Sequence, residues 1–204
     1  MDKRRKQTDK AKFLVDFAFF IDPLVGDIAM KNETLDLRQF IRDIPDFPKQ
    51  GILFRDITPL LADARALACA IERLTEPFQD KGIDVIAAVE ARGFIFGSAV
   101  AKALGVGFVP IRKKGKLPYH TESVCYGLEY GQDTVEVHTD AVESGTKVLM
   151  VDDLLATGGT MVAACELIEK LGGKIHGLTF LIELTDLKGQ NKLGQYDIHT
   201  VLSY

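Results

Sequence analysis

Residues Val148-Leu-Met-Val-Asp-Asp-Leu-Leu-Ala-Thr-Gly-Gly-Thr160 decide the fold of this chain. Val148 to Val151 form an unbroken apolar run, which suits a central parallel strand covered by helices on both faces. Met161, Ala164, Cys165, Ile168 and Leu171 then recur at the spacing of one helix face, and Gly172-Gly173 stops the pattern. Between strand and helix lies a polar turn with two carboxylates, two threonines and two glycines.

The turn has the makings of a phosphate cradle. Gly158 and Gly159 permit positive φ and close backbone approach, so successive N–H groups from Ala156 to Thr160 can converge on one anion. A helix beginning near Thr160 adds its dipole and its unpaired amides. Thr157 and Thr160 can donate hydroxyl hydrogen bonds to the same anion, although Thr160 can equally serve as a helix cap. Asp152 and Asp153 cannot share that ligand, because like charges repel. A sugar with adjacent hydroxyls suits them, since a carboxylate is a strong acceptor. Neighbouring strand residues point to opposite faces, so both aspartates reach one sugar only if the strand ends between them. Phosphate beside a vicinal diol describes ribose 5-phosphate. The plain alternative is an ordinary strand-to-helix turn with a polar cap.

Composition narrows the classes. The 204 residues are 47% hydrophobic, enough for one substantial catalytic domain. A net charge of −4 argues against a nucleic-acid partner, which needs a broad basic surface, so phosphate must be met locally. Cys69, Cys125 and Cys165 show no paired spacing, which suits free thiols in a reducing compartment and predicts a cytoplasmic protein. The four histidines are scattered, no protein-built zinc site is visible, and no apolar run predicts a membrane span.

Leu35 to Arg42 reads as a short helix, and Ile44 to Pro59 as irregular backbone broken by Pro45, Pro48 and Gly51. Asp63 to Phe78 is helical, with Leu67, Ile71 and Leu74 on one face. Asp84 to Glu90 reads as a buried strand that runs through Ala91-Arg92-Gly93 into a helix from Phe94 to Leu104. This second strand, loop and helix unit places a charged residue where open α/β sheets hold their ligands. Val106 to Ile111 is a third strand, followed by the basic loop Arg112-Lys-Lys-Gly-Lys-Leu-Pro118. Such a loop is usually solvated, yet after a core strand in an acidic protein it also suits a polyanion. Tyr119 to Gly131 is polar without a clear period, as expected of a mobile lid. Thr134 to His138 and Lys174 to Leu184 complete the strands, and little can be read beyond Gly189.

The thirteen opening residues resemble the 5-phosphoribosyl 1-pyrophosphate (PRPP) signature of the type I phosphoribosyltransferases, in the form found where the acceptor is adenine. The resemblance implies an α/β fold, a central mostly parallel sheet flanked by helices, with a small hood over the base site. It covers residues 31–204, with the hood mainly at 35–58, and leaves residues 1–30 as an extension. It implies transfer of the phosphoribosyl group from PRPP to adenine, giving AMP and pyrophosphate, with Mg²⁺ carried by PRPP and no direct protein ligand. It further implies a homodimer whose partners are small molecules.

Residue by residue, the resemblance assigns Asp152, Asp153 and Ala156 to Thr160 to the ribose phosphate, and Arg92, Lys113 and Lys116 to pyrophosphate. It also implies a strained peptide bond near Glu90-Ala91. Leu53 (through its backbone), Phe54, Arg55 and Leu184 would meet adenine. Within Tyr126-Gly-Leu-Glu-Tyr-Gly131, Glu129 would exchange a purine proton and Tyr130 would be a lid residue. The residues alone leave other roles open: Leu53 and Phe54 as core, Arg55 paired with Asp56, Arg92 paired with Glu90, and Glu129 as one more exposed carboxylate. Two alternative functions also stay open, transfer to another purine base and a non-catalytic PRPP or purine sensor.

The extension starts basic (Lys3, Arg4, Arg5, Lys6) and continues with Phe13, Phe17, Phe20, Leu24 and Ile28 on one helical stripe that Pro23 should kink. Asp16, Asp22 and Asp27 interrupt the apolar segment, unlike a signal peptide. A helix that packs on the domain or on a second subunit is the expectation. A chain begun at Met30 should therefore keep its turnover. A folded Met30 variant without activity would reverse that assignment.

Overall fold

A computed structural model describes residues 35–127 and 132–204. The stripe from Phe13 to Ile28, and the expected site residues Glu129 and Tyr130, lie outside the described residues. The chain divides into two compact units, the first ending at Cys69 and the second beginning at Ala70.

In the first unit the helix expected over Leu35 to Arg42 is a single 3₁₀ turn, Leu37–Phe40, capped by Asp36, whose carboxylate accepts from the Arg38 amide at 3.0 Å. Strand β1, Arg42–Ile44, then pairs antiparallel with β2, Phe54–Asp56. The stretch expected to be irregular thus contains a small ribbon. Pro45 and Pro48 sit in its connection, where no ladder amide is needed, and Gly51 turns at φ 85°. Phe47 N–H to Ile52 O at 3.2 Å closes that connection. Helix α1, Thr58–Ala62, starts where Asp56 accepts from the Thr58 amide and hydroxyl at 2.9 and 2.7 Å. Asp63 caps α2, Ala64–Thr75, in the same manner, accepting from Arg65 and Ala66 amides.

The second unit holds β3 (Val85–Val89), α3 (Gly93–Leu104), β4 (Gly107–Lys113), β5 (Thr121–Gly127), β6 (Gln132–His138), β7 (Lys147–Leu155), α4 (Gly159–Lys170), β8 (Lys174–Glu183) and β9 (Ile198–Ser203). Among the described residues these strands form one sheet in the order β5-β6-β4-β3-β7-β8-β9. The neighbours from β4 to β9 pair in parallel, while β6 and β5 add an antiparallel edge. The expected mostly parallel α/β sheet is therefore present.

Buriedness explains which strands were legible. Val148 to Val151 and Ile86 to Ala88 are fully buried, so their apolar runs are continuous. Thr121 to Gly127, expected as part of a structureless lid, is instead strand β5. On that edge only Val124 is buried, which erases the apolar period while the ladder to β6 supplies the backbone bonds. Strand β4 likewise outruns Ile111, because Arg112 and Lys113 pair with Glu136 and Val135 of β6. The last residues, from which little was read, form the parallel edge strand β9.

Helix α3 lies close over the sheet because Gly97 has no side chain. A Cβ there would come 2.7 Å from the Ala88 Cβ and 2.9 Å from the Phe108 ring. Gly97→Ala gains about 1 kcal/mol of helix propensity, but overpacking against a buried strand costs about 1–3 kcal/mol. Net destabilisation is expected, read as a lower urea midpoint; an unchanged or higher midpoint would show that α3 can move away freely.

Candidate active site

Strand β7 carries the central residues. It does not end between its two aspartates, the condition under which both would reach one sugar, but continues to Leu155, with Asp152 opposite Phe180 and Leu155 opposite Glu183 in β8. The turn is correspondingly short: Ala156, Thr157 and Gly158, with Gly159 already opening α4. Gly158 alone takes the left-handed conformation, φ 79°, while Gly159 does not. Gly158 has a second reason to be glycine, since a Cβ would meet the Gly189 carbonyl at 2.8 Å. Gly189 braces the turn in return: a Cβ on it would stand 2.2 Å from the Ala156 carbonyl. Nothing near Gly189 in the sequence signals that contact.

The second strand, loop and helix unit arrives beside the first. Glu90, Ala91 and Arg92 follow β3, and the Glu90–Ala91 peptide bond, near which the resemblance implied strain, is cis. The two turns enclose a cleft of about 310 Å³, lined among others by Glu90, Arg92, Asp152, Asp153 and every residue from Ala156 to Thr160. Arg92 reaches across to Asp153, Nη2 to Oδ2 at 2.8 Å, not to Glu90. Asp153 is 5% exposed. Asp152 is admitted by Gly93, where a Cβ would lie 2.6 Å from Asp152 Oδ1, and that same oxygen accepts from the Asp153 amide at 2.9 Å. Both aspartates therefore line one cleft although the strand continues past them.

Two carboxylates this close in a partly dry site cannot both ionise freely. Burial first, and then the charge of Asp153, push the Asp152 carboxyl well above the usual range. Burial raises Asp153 as well, while the Arg92 guanidinium works against it. Burial thus disfavours charge on both carboxyls, and the Arg92 guanidinium opposes that shift at Asp153.

The basic loop is tied to the cleft through Glu90. Its carboxylate accepts from the Lys113 amide at 2.6 Å, Arg112 Nη2 at 3.1 Å and Lys116 Nζ at 3.2 Å. Burial raises the Glu90 carboxyl, but these donors outweigh it and hold it below the usual value. Gly115, at the tip, donates its amide to buried Glu136 at 2.9 Å. Lys113 Nζ meets Asp133 of β6 at 3.2 Å, which raises the lysine and contributes to lowering the aspartate. Asp133 also accepts from Tyr126, whose hydroxyl in turn accepts from Thr160. Asp133 carries no signal in the sequence, and Tyr126 stands there only as the first residue of a motif, because the partners of both are distant in the chain.

The base-site expectations divide. Leu53 is 44% exposed and so is not core; Phe54 stacks edge-on with Phe47 at 5.2 Å. Arg55 pairs with Asp43, its opposite number across the β1–β2 ribbon, and Arg42 is the partner of Asp56. These residues belong to the first unit. Leu184 donates its amide to the Leu155 carbonyl at 2.9 Å and is not among the residues lining the cleft.

The family description "phosphoribosyl transferase domain" matches residues 56–197. The adenine phosphoribosyltransferase of Halothermothrix orenii is 58% identical over 168 residues, covering 82% of this chain and 99% of that one. The crystal structure of adenine phosphoribosyltransferase from Thermoanaerobacter pseudethanolicus is 54% identical with a TM-score of 0.80, covering 82% of this chain and 98% of that one. The Saccharomyces cerevisiae enzyme, complexed with adenine and an imino-altritol bisphosphate, is 39% identical with a TM-score of 0.77 over 86% of this chain and 99% of its own. The chain belongs to the phosphoribosyltransferase family, among the adenine phosphoribosyltransferases.

Proposed function

We propose that this chain transfers the 5-phosphoribosyl group from PRPP to adenine, forming AMP and releasing pyrophosphate. The supporting observation is the single cleft that gathers an anion-binding turn, an acidic pair and an arginine from two adjacent strand ends. An adenine nitrogen forms a bond to the anomeric carbon as the bond to pyrophosphate breaks, through a state with oxocarbenium character.

The amides from Ala156 to Thr160 and the N-terminus of α4 are assigned to the 5′-phosphate. Asp153, beside Arg92, is the carboxylate assigned to the developing positive charge. Asp152, which burial inclines toward its neutral form, can donate to or accept from a ribose hydroxyl. Arg92, Lys113 and Lys116 are assigned to the departing anion, and Glu129, by family likeness, to the purine proton. Preorganised charge of this kind removes several kcal/mol of barrier, about 2.7–4 for a single donor. Leu53, Phe54, Arg55 and Leu184 are assigned to adenine on the same likeness, with Tyr130 in the lid.

Among the described residues no group of three or more His, Cys, Asp or Glu side chains could hold a metal ion. Mg²⁺ bound through PRPP would neutralise charge on the leaving pyrophosphate. No helix among the described residues is long and apolar enough to cross a membrane. A cytoplasmic homodimer completes the proposal.

The direct test mixes the protein with Mg²⁺, PRPP and a panel of purines. AMP from adenine, and little product from hypoxanthine, guanine or xanthine, is the expected result. A better yield from another base would overturn the specificity, and PRPP binding without pyrophosphate release from any base would make the chain a sensor. Within the site, Arg92→Ala should raise the KM for PRPP about 10- to 100-fold, the range of one charge-assisted contact. Asp153→Asn should act chiefly on kcat. Unchanged kinetics in both would remove the pair from the mechanism.

The acidic pair also predicts a pH dependence. Because the folded Asp152 carboxyl lies above its unfolded value, its contribution is fully present below the ordinary carboxylate range and is lost as pH rises through the folded value. Asp152→Asn should therefore raise the thermal midpoint at pH 8, and the gain should fade toward pH 4. A gain that is the same at both pH values would contradict the assigned cause.

A further inference from the structure

One hairpin holds a residue from each of the two anion-binding segments. Thr160, in the first turn of α4, places its hydroxyl 3.3 Å from that of Tyr126 in β5. Tyr126 donates to Asp133 Oδ2 of β6 at 3.4 Å, and the same oxygen meets Lys113 Nζ at 3.2 Å. Tyr126 and Asp133 are direct partners across the β5–β6 ladder, so the two contacts belong to one pair of strands. The end of β5 also lies over the phosphate turn: a Cβ on Gly159 would stand 3.6 Å from the Gly127 carbonyl and 3.8 Å from the Tyr126 ring.

Counting protons fixes the direction of this chain. An ionised Asp133 only accepts, so the single Tyr126 proton points to it, and the Thr160 hydroxyl must donate to Tyr126. A threonine has one hydroxyl proton. Thr160 therefore cannot donate to Tyr126 and to a phosphate at the same time. Lys113 has three protons, but an adjacent carboxylate offsets the charge that would attract pyrophosphate.

We infer that Tyr126 and Asp133 form a latch that engages Thr160 of the phosphate turn and Lys113 of the basic loop, and that PRPP displaces both contacts when it binds. This rests on the assignment of Thr160 and Lys113 to PRPP. The latch competes with the substrate, so cutting it has the opposite sign to removing a substrate contact. Tyr126 and Asp133 are positioning residues: they act through Thr160 and Lys113.

Titration calorimetry with ribose 5-phosphate and with Mg²⁺-pyrophosphate probes the two ends separately. Asp133→Asn should tighten pyrophosphate binding about two- to fivefold, the range for a partly exposed ion pair, and the gain should vanish in a Lys113→Ala background. Tyr126→Phe, which frees the Thr160 hydroxyl without changing the ring, should tighten ribose 5-phosphate binding. Being nearly isosteric, it remains the test if Asp133→Asn fails to fold. If both variants bind these anions no better than the parent, while Lys113→Ala and Thr160→Val bind them worse, the latch is wrong and the site assignment stands. If Lys113→Ala and Thr160→Val bind as the parent does, the underlying assignment fails, and the latch with it.

Discussion

The parallel register of β3 with β7, Val85 opposite Val148 through Ala88 opposite Val151, is the constraint on which the second unit depends. Strands paired in this way finish at the same edge of the sheet. Each then hands the chain to a turn and a helix, so Glu90 to Arg92 and Asp152 to Thr160 arrive at one place from residues some sixty positions apart. Open α/β sheets bind ligands at that edge because the helix N-termini and the unpaired backbone amides converge there. Adjacent turns in so small a volume tolerate few side chains. Gly93 makes room for the Asp152 carboxylate, and Gly189 lets a second segment press on the Ala156 carbonyl.

Charge is handled by pairing. The protein is acidic, yet its proposed ligand is a polyanion. Arg92 stands against Asp153, Lys116 and Arg112 against Glu90, and Lys113 against Asp133. Each cation is thereby held in one orientation, and mutual repulsion within the basic loop is reduced. Opposite charges a few ångströms apart interact more strongly away from bulk water than in it. In the proposed reaction, phosphate oxygens that reach these cations exchange one set of charged contacts for another. Glu90 fixes the loop's backbone at Lys113 as well as two of its side chains.

Two segments were legible because their information is local. A strand buried on both faces is apolar throughout, and the tight turn into α4 uses a glycine at positive φ, so Val148 to Thr160 and Asp84 to Gly105 disclosed the strands, the helices and the turns that line the cleft. Strand β5 disclosed nothing, since one buried residue in seven makes no period. The end of β7 was likewise invisible, because pairing with β8 carries it past both aspartates to Leu155.

Ion pairs show where local information stops. Glu90 was the near neighbour offered to Arg92, and Asp56 the one offered to Arg55; the partners are Asp153 and Asp43. Arg55 and Asp56 are adjacent in a strand and so point apart, while Glu90 and Arg92 lie in the turn that follows β3, where no strand period aligns them. From its residue order alone this chain specified its α/β class, the glycine turn into α4 and the acidic pair before it, because apolar period and glycine geometry act over a few residues. Which cation meets which carboxylate, where β7 ends, and that Tyr126 and Gly189 touch the turn were decided only by tertiary structure, because sheet register brings those groups together from distant parts of the chain.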